Sequence, residues 1–69
     1  MSTNIKVLRK KMEECQITNE KMAEQLCIDP STFYRKLKAD GTTFTVGQMH
    51  KIVEVLGLEP EEATAIFLW

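Results

Sequence analysis

Residues 18–38 read TNEKMAEQLCIDPSTFYRKLK, and the two halves of this stretch carry separate helix signals on either side of a short interruption. Thr18 is a good N-cap because its hydroxyl can accept from a free backbone N–H, and Glu20 sits in the first turn, where the helix dipole favours an acid. A short helix is therefore expected from Asn19 to about Leu26, with Met22, Ala23 and Leu26 facing inward and Lys21, Glu24 and Gln25 facing water. Ala23 is small enough to let a second helix cross close by. Cys27, Ile28 and Asp29 form the turn, with Ile28 tucked beneath it. Asp29 followed by Pro30 is a strong helix start, since Asp caps the free N–H groups and Pro suits the first helical position. The second helix runs from Pro30 to about Lys38, roughly 14 Å at about 1.5 Å per residue. Phe33 and Leu37 anchor one side of it. Ser31, Tyr34, Arg35 and Lys38 are left on the other side, where the fold makes no use of them.

The flanking chain supplies the core that this pair needs. From Asn4 to Cys15, the apolar residues Ile5, Leu8, Met12 and Cys15 fall at spacings of three, four and three, one stripe of a helix. Its remaining faces carry Lys6, Arg9, Lys10 and Lys11, then Glu13 and Glu14. After Lys38, the polar stretch from Ala39 to Thr43 stops the helix, with Gly41 suited to a left-handed conformation. Phe44 follows as an apolar plug. Thr45 and Gln48 fit a capping box for a fourth helix whose stripe is Val46, Met49, Ile52, Val53 and Leu56, ended by Gly57. Pro60 at the head of EEATAIF starts a short fifth helix with acid in its first turn. The chain closes on Ile66, Phe67, Leu68 and Trp69, an apolar terminus that needs burying, either on the chain's own core or in a self-association surface. The fold expected is all-α, a compact bundle of about five short helices forming one domain over residues 1–69.

Composition narrows the function. With 43% apolar and 28% charged residues the chain has enough hydrophobic material for one small core. No apolar run approaches the roughly 18 residues of a membrane span, the start MSTNIKVLRKKMEE lacks the apolar middle of a signal peptide, and the expected location is the cytoplasm. Cys15 and Cys27 have only His50 as another soft ligand, so no metal site is expected and both are read as reduced, packed thiols. His50 lies outside the helix-four stripe and reads as an exposed surface residue. The net charge of −1 conceals an asymmetry. Residues 1–39 hold eight cations against five acids, a net of +3, whereas residues 40–69 hold one cation against five acids, a net of −4. A basic front and an acidic back are compatible with binding a polyanion through one face.

Residues 18–38, followed by FTVGQMHKIVEVLGL over residues 44–58, resemble the phage-repressor-like, Cro/CI-type helix-turn-helix proteins, and particularly the small Cro-like regulators of phages and mobile elements of Gram-positive bacteria. The matching features are Thr18 before helix two, the Met22-Ala23 pair, Leu26, Ile28 after the turn, the Ser31-Thr32-Phe33 run and the helix-four stripe. The resemblance implies a lambda-repressor-like fold with the helix-turn-helix in helices two and three. This chain departs from the family pattern at two positions. Cys27 stands where the turn usually carries glycine, so a positive φ there would cost about 1 kcal/mol relative to glycine. Asn19 stands where these proteins often have a phosphate-gripping glutamine, and its reach is shorter.

The function expected is sequence-specific recognition of double-stranded DNA by the helix from Pro30 to Lys38, whose length suits a major groove about 12 Å wide. Arg35 is the leading base reader, because its fork can pair with guanine O6 and N7. Ser31, Tyr34 and Lys38 share its face. Thr18, Asn19 and Lys36 are phosphate candidates, with Thr42 and Thr43 in the loop behind them. Readers with so few contacts commonly act as two-fold dimers on half-sites about 34 Å apart, so a homodimer is expected, with Ile66 to Trp69 contributing. A protein-binding adaptor of the same fold, such as an anti-repressor or antitoxin-like module using the apolar tail and acidic rear, is the alternative. An enzyme would need convergent acids, bases or a nucleophile in a pocket, which this pattern does not offer, and neither a cofactor nor a small-molecule substrate is expected.

Overall fold

The computed structural model describes residues 3–39 and 44–67. Its regular elements are five α-helices, α1 (Ile5–Glu14), α2 (Asn19–Gln25), α3 (Pro30–Lys38), α4 (Val46–Leu56) and α5 (Pro60–Phe67). The helix starts follow from local chemistry. Asn4, Thr18, Asp29 and Thr45 each accept a backbone N–H from the first turn of the helix they precede. At α4 the reciprocal bonds Gln48 N–H to Thr45 Oγ1 and Thr45 N–H to Gln48 Oε1, both 3.0 Å, complete the capping box that the sequence predicts.

The helix ends share a device that spacing alone reveals only at Gly57. After α1, α2 and α4 the chain takes a left-handed residue, Gln16 at φ 58°, Cys27 at φ 59° and Gly57 at φ 62°. Each is followed by an apolar residue whose N–H reaches back five positions: Ile17 to Met12 O at 2.9 Å, Ile28 to Ala23 O at 3.0 Å and Leu58 to Val53 O at 3.0 Å. These are Schellman motifs, in which the reversal satisfies helix carbonyls and turns the following side chain onto the core. Ile17 and Ile28 pack against the core as half-buried residues, and Leu58 belongs to it. The expectation of a positive φ at Cys27 holds, and Gln16 repeats it unannounced. The expected left-handed Gly41 lies outside the described residues.

One core joins all five helices: Leu8 and Met12 from α1, Met22 from α2, Phe33 from α3, Ile52 from α4 and Ile66 from α5 are among its members. Phe44, ahead of α4, is the plug that the sequence suggests, with its ring centroid 5.8 Å from that of Phe33. The chain's two ends are fastened to each other. Asn4 N–H donates to Ile66 O at 2.6 Å, and Lys11 Nζ on α1 donates to Glu62 Oε2 on α5 at 2.6 Å. Glu62 also accepts the Glu59 N–H at 3.0 Å. That backbone bond first, and the Lys11 bond second, hold the Glu62 carboxyl below its ordinary range, while the bond to Glu62 raises the Lys11 ammonium.

Three expectations are corrected. Val46, assigned to the α4 stripe, is 65% exposed. It is the first residue of the helix, and Phe44, two positions earlier, fills the space at that end of the core. Cys15 and Cys27, read as packed, are both free and exposed. Each sits where a helix ends, so the chain turns away before the side chain reaches the interior, although Cys15 Sγ still approaches Leu56 O at 3.8 Å.

A left-handed cysteine carries a steric cost that glycine avoids. Cys27→Gly is expected to raise stability by about 0.5–1 kcal/mol after its own unfolded-state entropy is counted, and Cys27→Val to lower it. Urea unfolding of the three chains checks both signs.

Candidate nucleic-acid interface

Helix α3 divides sharply between its two sides. Phe33 and Leu37 are 0% and 1% exposed, while Ser31, Tyr34, Arg35 and Lys38 are all exposed. The division follows from the 3.6-residue period, which puts positions 33 and 37 on one side and 31, 34, 35 and 38 on the other. Depth is set by Phe33, whose ring is wedged against Phe44, and by Leu37 one turn later. A helix pinned by two buried residues presents its opposite side rigidly.

The outward side chains are not independent. Lys38 Nζ lies 5.3 Å from the centre of the Tyr34 ring, a cation–π distance one helical turn along α3. Tyr34 is 48% exposed, so its ring stands in solvent and not against α2. Lys36 projects toward the other flank, half-buried, with Nζ 5.9 Å from the centre of the Phe44 ring. At the start of the helix the Ser31 hydroxyl donates to Asp29 Oδ2, which also accepts the Ser31 N–H at 2.9 Å. The Ser31 proton is thereby committed, and its oxygen remains as an acceptor. The same two bonds, the hydroxyl foremost, hold the Asp29 carboxyl below its ordinary range, with a smaller contribution from the Arg35 charge.

Thr18 and Asn19 lie together at the mouth of a hollow of about 210 Å³ between α1 and the start of α2, lined also by Arg9, Met12, Glu13 and Ile17. The Thr18 hydroxyl accepts the Lys21 N–H at 3.1 Å. Arg9 is the addition made by the three-dimensional arrangement. In sequence it is one of four cations on α1, and only the approach of α1 to α2 separates it from the rest. Thr42 and Thr43, the loop candidates, lie outside the described residues, as do Leu68 and Trp69. Ile66 and Phe67 are 1% and 3% exposed and belong to this chain's own core, the first of the two roles open to that terminus. His50 is exposed. Among the described residues, no group of three His, Cys, Asp or Glu side chains is placed to hold a metal ion, and no helix is long and apolar enough to cross a membrane.

Two short helices joined by a left-handed turn, the second with a buried apolar side and an exposed polar side, define a helix-turn-helix module. The Cro/C1-type HTH DNA-binding domain family matches residues 7–65, which span all of α2, α3 and α4 and most of α1 and α5. The chain belongs to that family and is a DNA-binding regulator of the helix-turn-helix class. No curated protein and no solved structure gives a significant match to it.

Proposed function

We propose that the chain is a Cro/CI-like repressor of phage or mobile-element type, a single cytoplasmic domain over residues 1–69 that reads a double-stranded operator by laying α3 in the major groove. The observation that carries this reading is the division of α3, with Phe33 and Leu37 buried and Tyr34, Arg35 and Lys38 exposed on a helix of nine residues. Arg35 donates to guanine O6 and N7, a contact worth about 1–3 kcal/mol of discrimination. Tyr34 packs on a thymine methyl or donates to phosphate, and Lys38, held over the Tyr34 ring, reaches the adjacent base edge or backbone. Ser31 adds an acceptor at the front of the helix. Thr18 and Asn19, with Arg9 beside them, meet one flanking phosphate run, and Lys36 with the loop residues Thr42 and Thr43 meets the other. The +3 front supplies the attraction and the −4 rear stays in solvent.

Substitution separates base reading from phosphate binding. Arg35→Ala is expected to abolish preference for the operator over random duplex while weak, salt-sensitive binding persists. Lys36→Ala is expected to weaken all duplexes alike and to lower the slope of log K against log salt by about 1. Titrations at several salt concentrations read both. An Arg35→Ala chain that keeps its operator preference would remove α3 from the groove and favour the adaptor reading.

Two copies on one operator are part of the same proposal, because a single nine-residue helix offers few contacts. Ile66 and Phe67 serve the core, so the self-association surface falls to Leu68 and Trp69 beyond them. Deleting residues 68–69 is expected to leave the fold intact and to shift sedimentation toward monomer. A chain that sediments as a monomer at high concentration with or without the deletion contradicts the dimer.

A further inference from the structure

The first residue of the recognition module is an acid, which a surface built to meet DNA ought to avoid. Asp29 is exposed and precedes α3 directly, on the end of the helix that reaches base edges when such a helix docks. Two bonds from Ser31 converge on Oδ2, one from the backbone N–H at 2.9 Å and one from the hydroxyl. A cap needs only the first of these. The second draws the carboxylate toward the side of the helix that carries Ser31, Tyr34, Arg35 and Lys38. It also fixes the carboxylate plane, leaving Oδ1 as an oriented acceptor.

We propose that Asp29 is a base-reading residue, accepting a hydrogen bond through Oδ1 from the exocyclic amine of a cytosine in the major groove, with Ser31 as the positioning residue that holds it there. The inference rests on α3 being the helix that enters the groove. An ionised carboxylate only accepts, so it is matched by a donor and repelled by the acceptors of guanine and thymine. Cytosine presents its N4 amine as its sole major-groove hydrogen-bonding group, whereas adenine sets an N7 acceptor beside its amine. The bonds from Ser31 and the charge of Arg35 keep the carboxyl ionised. Arg35 as donor and Asp29 as acceptor on one face then read both strands of a half-site, guanine by the first and cytosine by the second. The acid thus costs some general attraction for phosphate and supplies discrimination.

Selection from a random duplex pool at physiological salt, run in parallel with the native chain, Asp29→Asn and Ser31→Ala, tests this. Asn is as good an N-cap as Asp, so the unfolding midpoint of that variant is expected to stay within error of the native value. The native chain is expected to enrich a motif with cytosine at one position of each half-site. In Asp29→Asn, discrimination at that position alone is expected to fall by about five- to a hundredfold, the range of a single base-pair mismatch, while binding to random duplex strengthens because a negative charge has gone. Ser31→Ala is expected to broaden the same position to a lesser degree. An Asp29→Asn motif identical to the native one, or a uniform tightening across all sequences, overturns the proposal while leaving the DNA reading standing. Broadening by Ser31→Ala at a different position assigns the contact to Ser31 and also overturns it. A native chain that enriches nothing overturns the DNA reading itself.

Discussion

The hydrogen bond from Ile28 N–H to Ala23 O, 3.0 Å long, is the contact on which the rest of this small structure depends. It closes the end of α2, and it forms only because Cys27 takes a left-handed conformation at φ 59°. Once closed, the turn sends Ile28 down onto the core and leaves Asp29 positioned to cap the next helix. The direction of α3 relative to α2 is then set by backbone hydrogen bonding before any side chain of α3 packs. Fully buried Ala23 gives the clearance for that approach. Phe33 and Leu37 lock the result against the core that α1, α4 and α5 build around it.

Function emerges from that placement as a matter of sides. Because two buried residues fix the rotation of α3, its remaining residues project from a surface whose orientation does not depend on their own interactions. This matters for recognition, since side chains held on a rigid element lose less entropy on binding than side chains that must first be ordered. Local contacts organise them further: Lys38 lies over Tyr34, Lys36 over Phe44, and Asp29 is held by Ser31. The same sequence segregation keeps the acids away. Glu54, Glu59, Glu61 and Glu62 fall in α4 and α5 or just before α5, where Glu62 has a structural task in pairing with Lys11. A protein with a net charge of −1 can therefore carry a cationic recognition surface.

Much of this was legible in the chain itself, because the signals were local. The Asp29-Pro30 start and the Thr45/Gln48 capping box each involve residues no more than three apart, and α3 begins and ends where the residue pattern puts it. The left-handed residue at Cys27 was readable through family resemblance and not through composition, since nothing about cysteine announces a positive φ. Gln16 shows the limit. It makes the same reversal after α1, yet neither periodicity nor residue type marks it. Val46 was misplaced because a stripe is counted along an ideal helix, whereas burial depends on where the helix enters the core. The exposed thiols have the same origin. The Lys11–Glu62 pair and the Arg9 hollow join residues far apart in the chain, so no local rule could have joined them. Ser31 was seen as a free hydroxyl because the cap was credited with one bond when it makes two.

The claim that matters most is that α3 reads DNA from the major groove. Replacing the guanines of a bound duplex by 7-deazaguanine removes a major-groove acceptor and leaves the minor groove unchanged, whereas replacing them by inosine removes the minor-groove amine and leaves the major-groove acceptors in place. Affinity is expected to fall by about tenfold with 7-deazaguanine, a loss within the range of one good base contact, and to stay nearly constant with inosine. Loss of affinity with inosine and indifference to 7-deazaguanine would contradict the account.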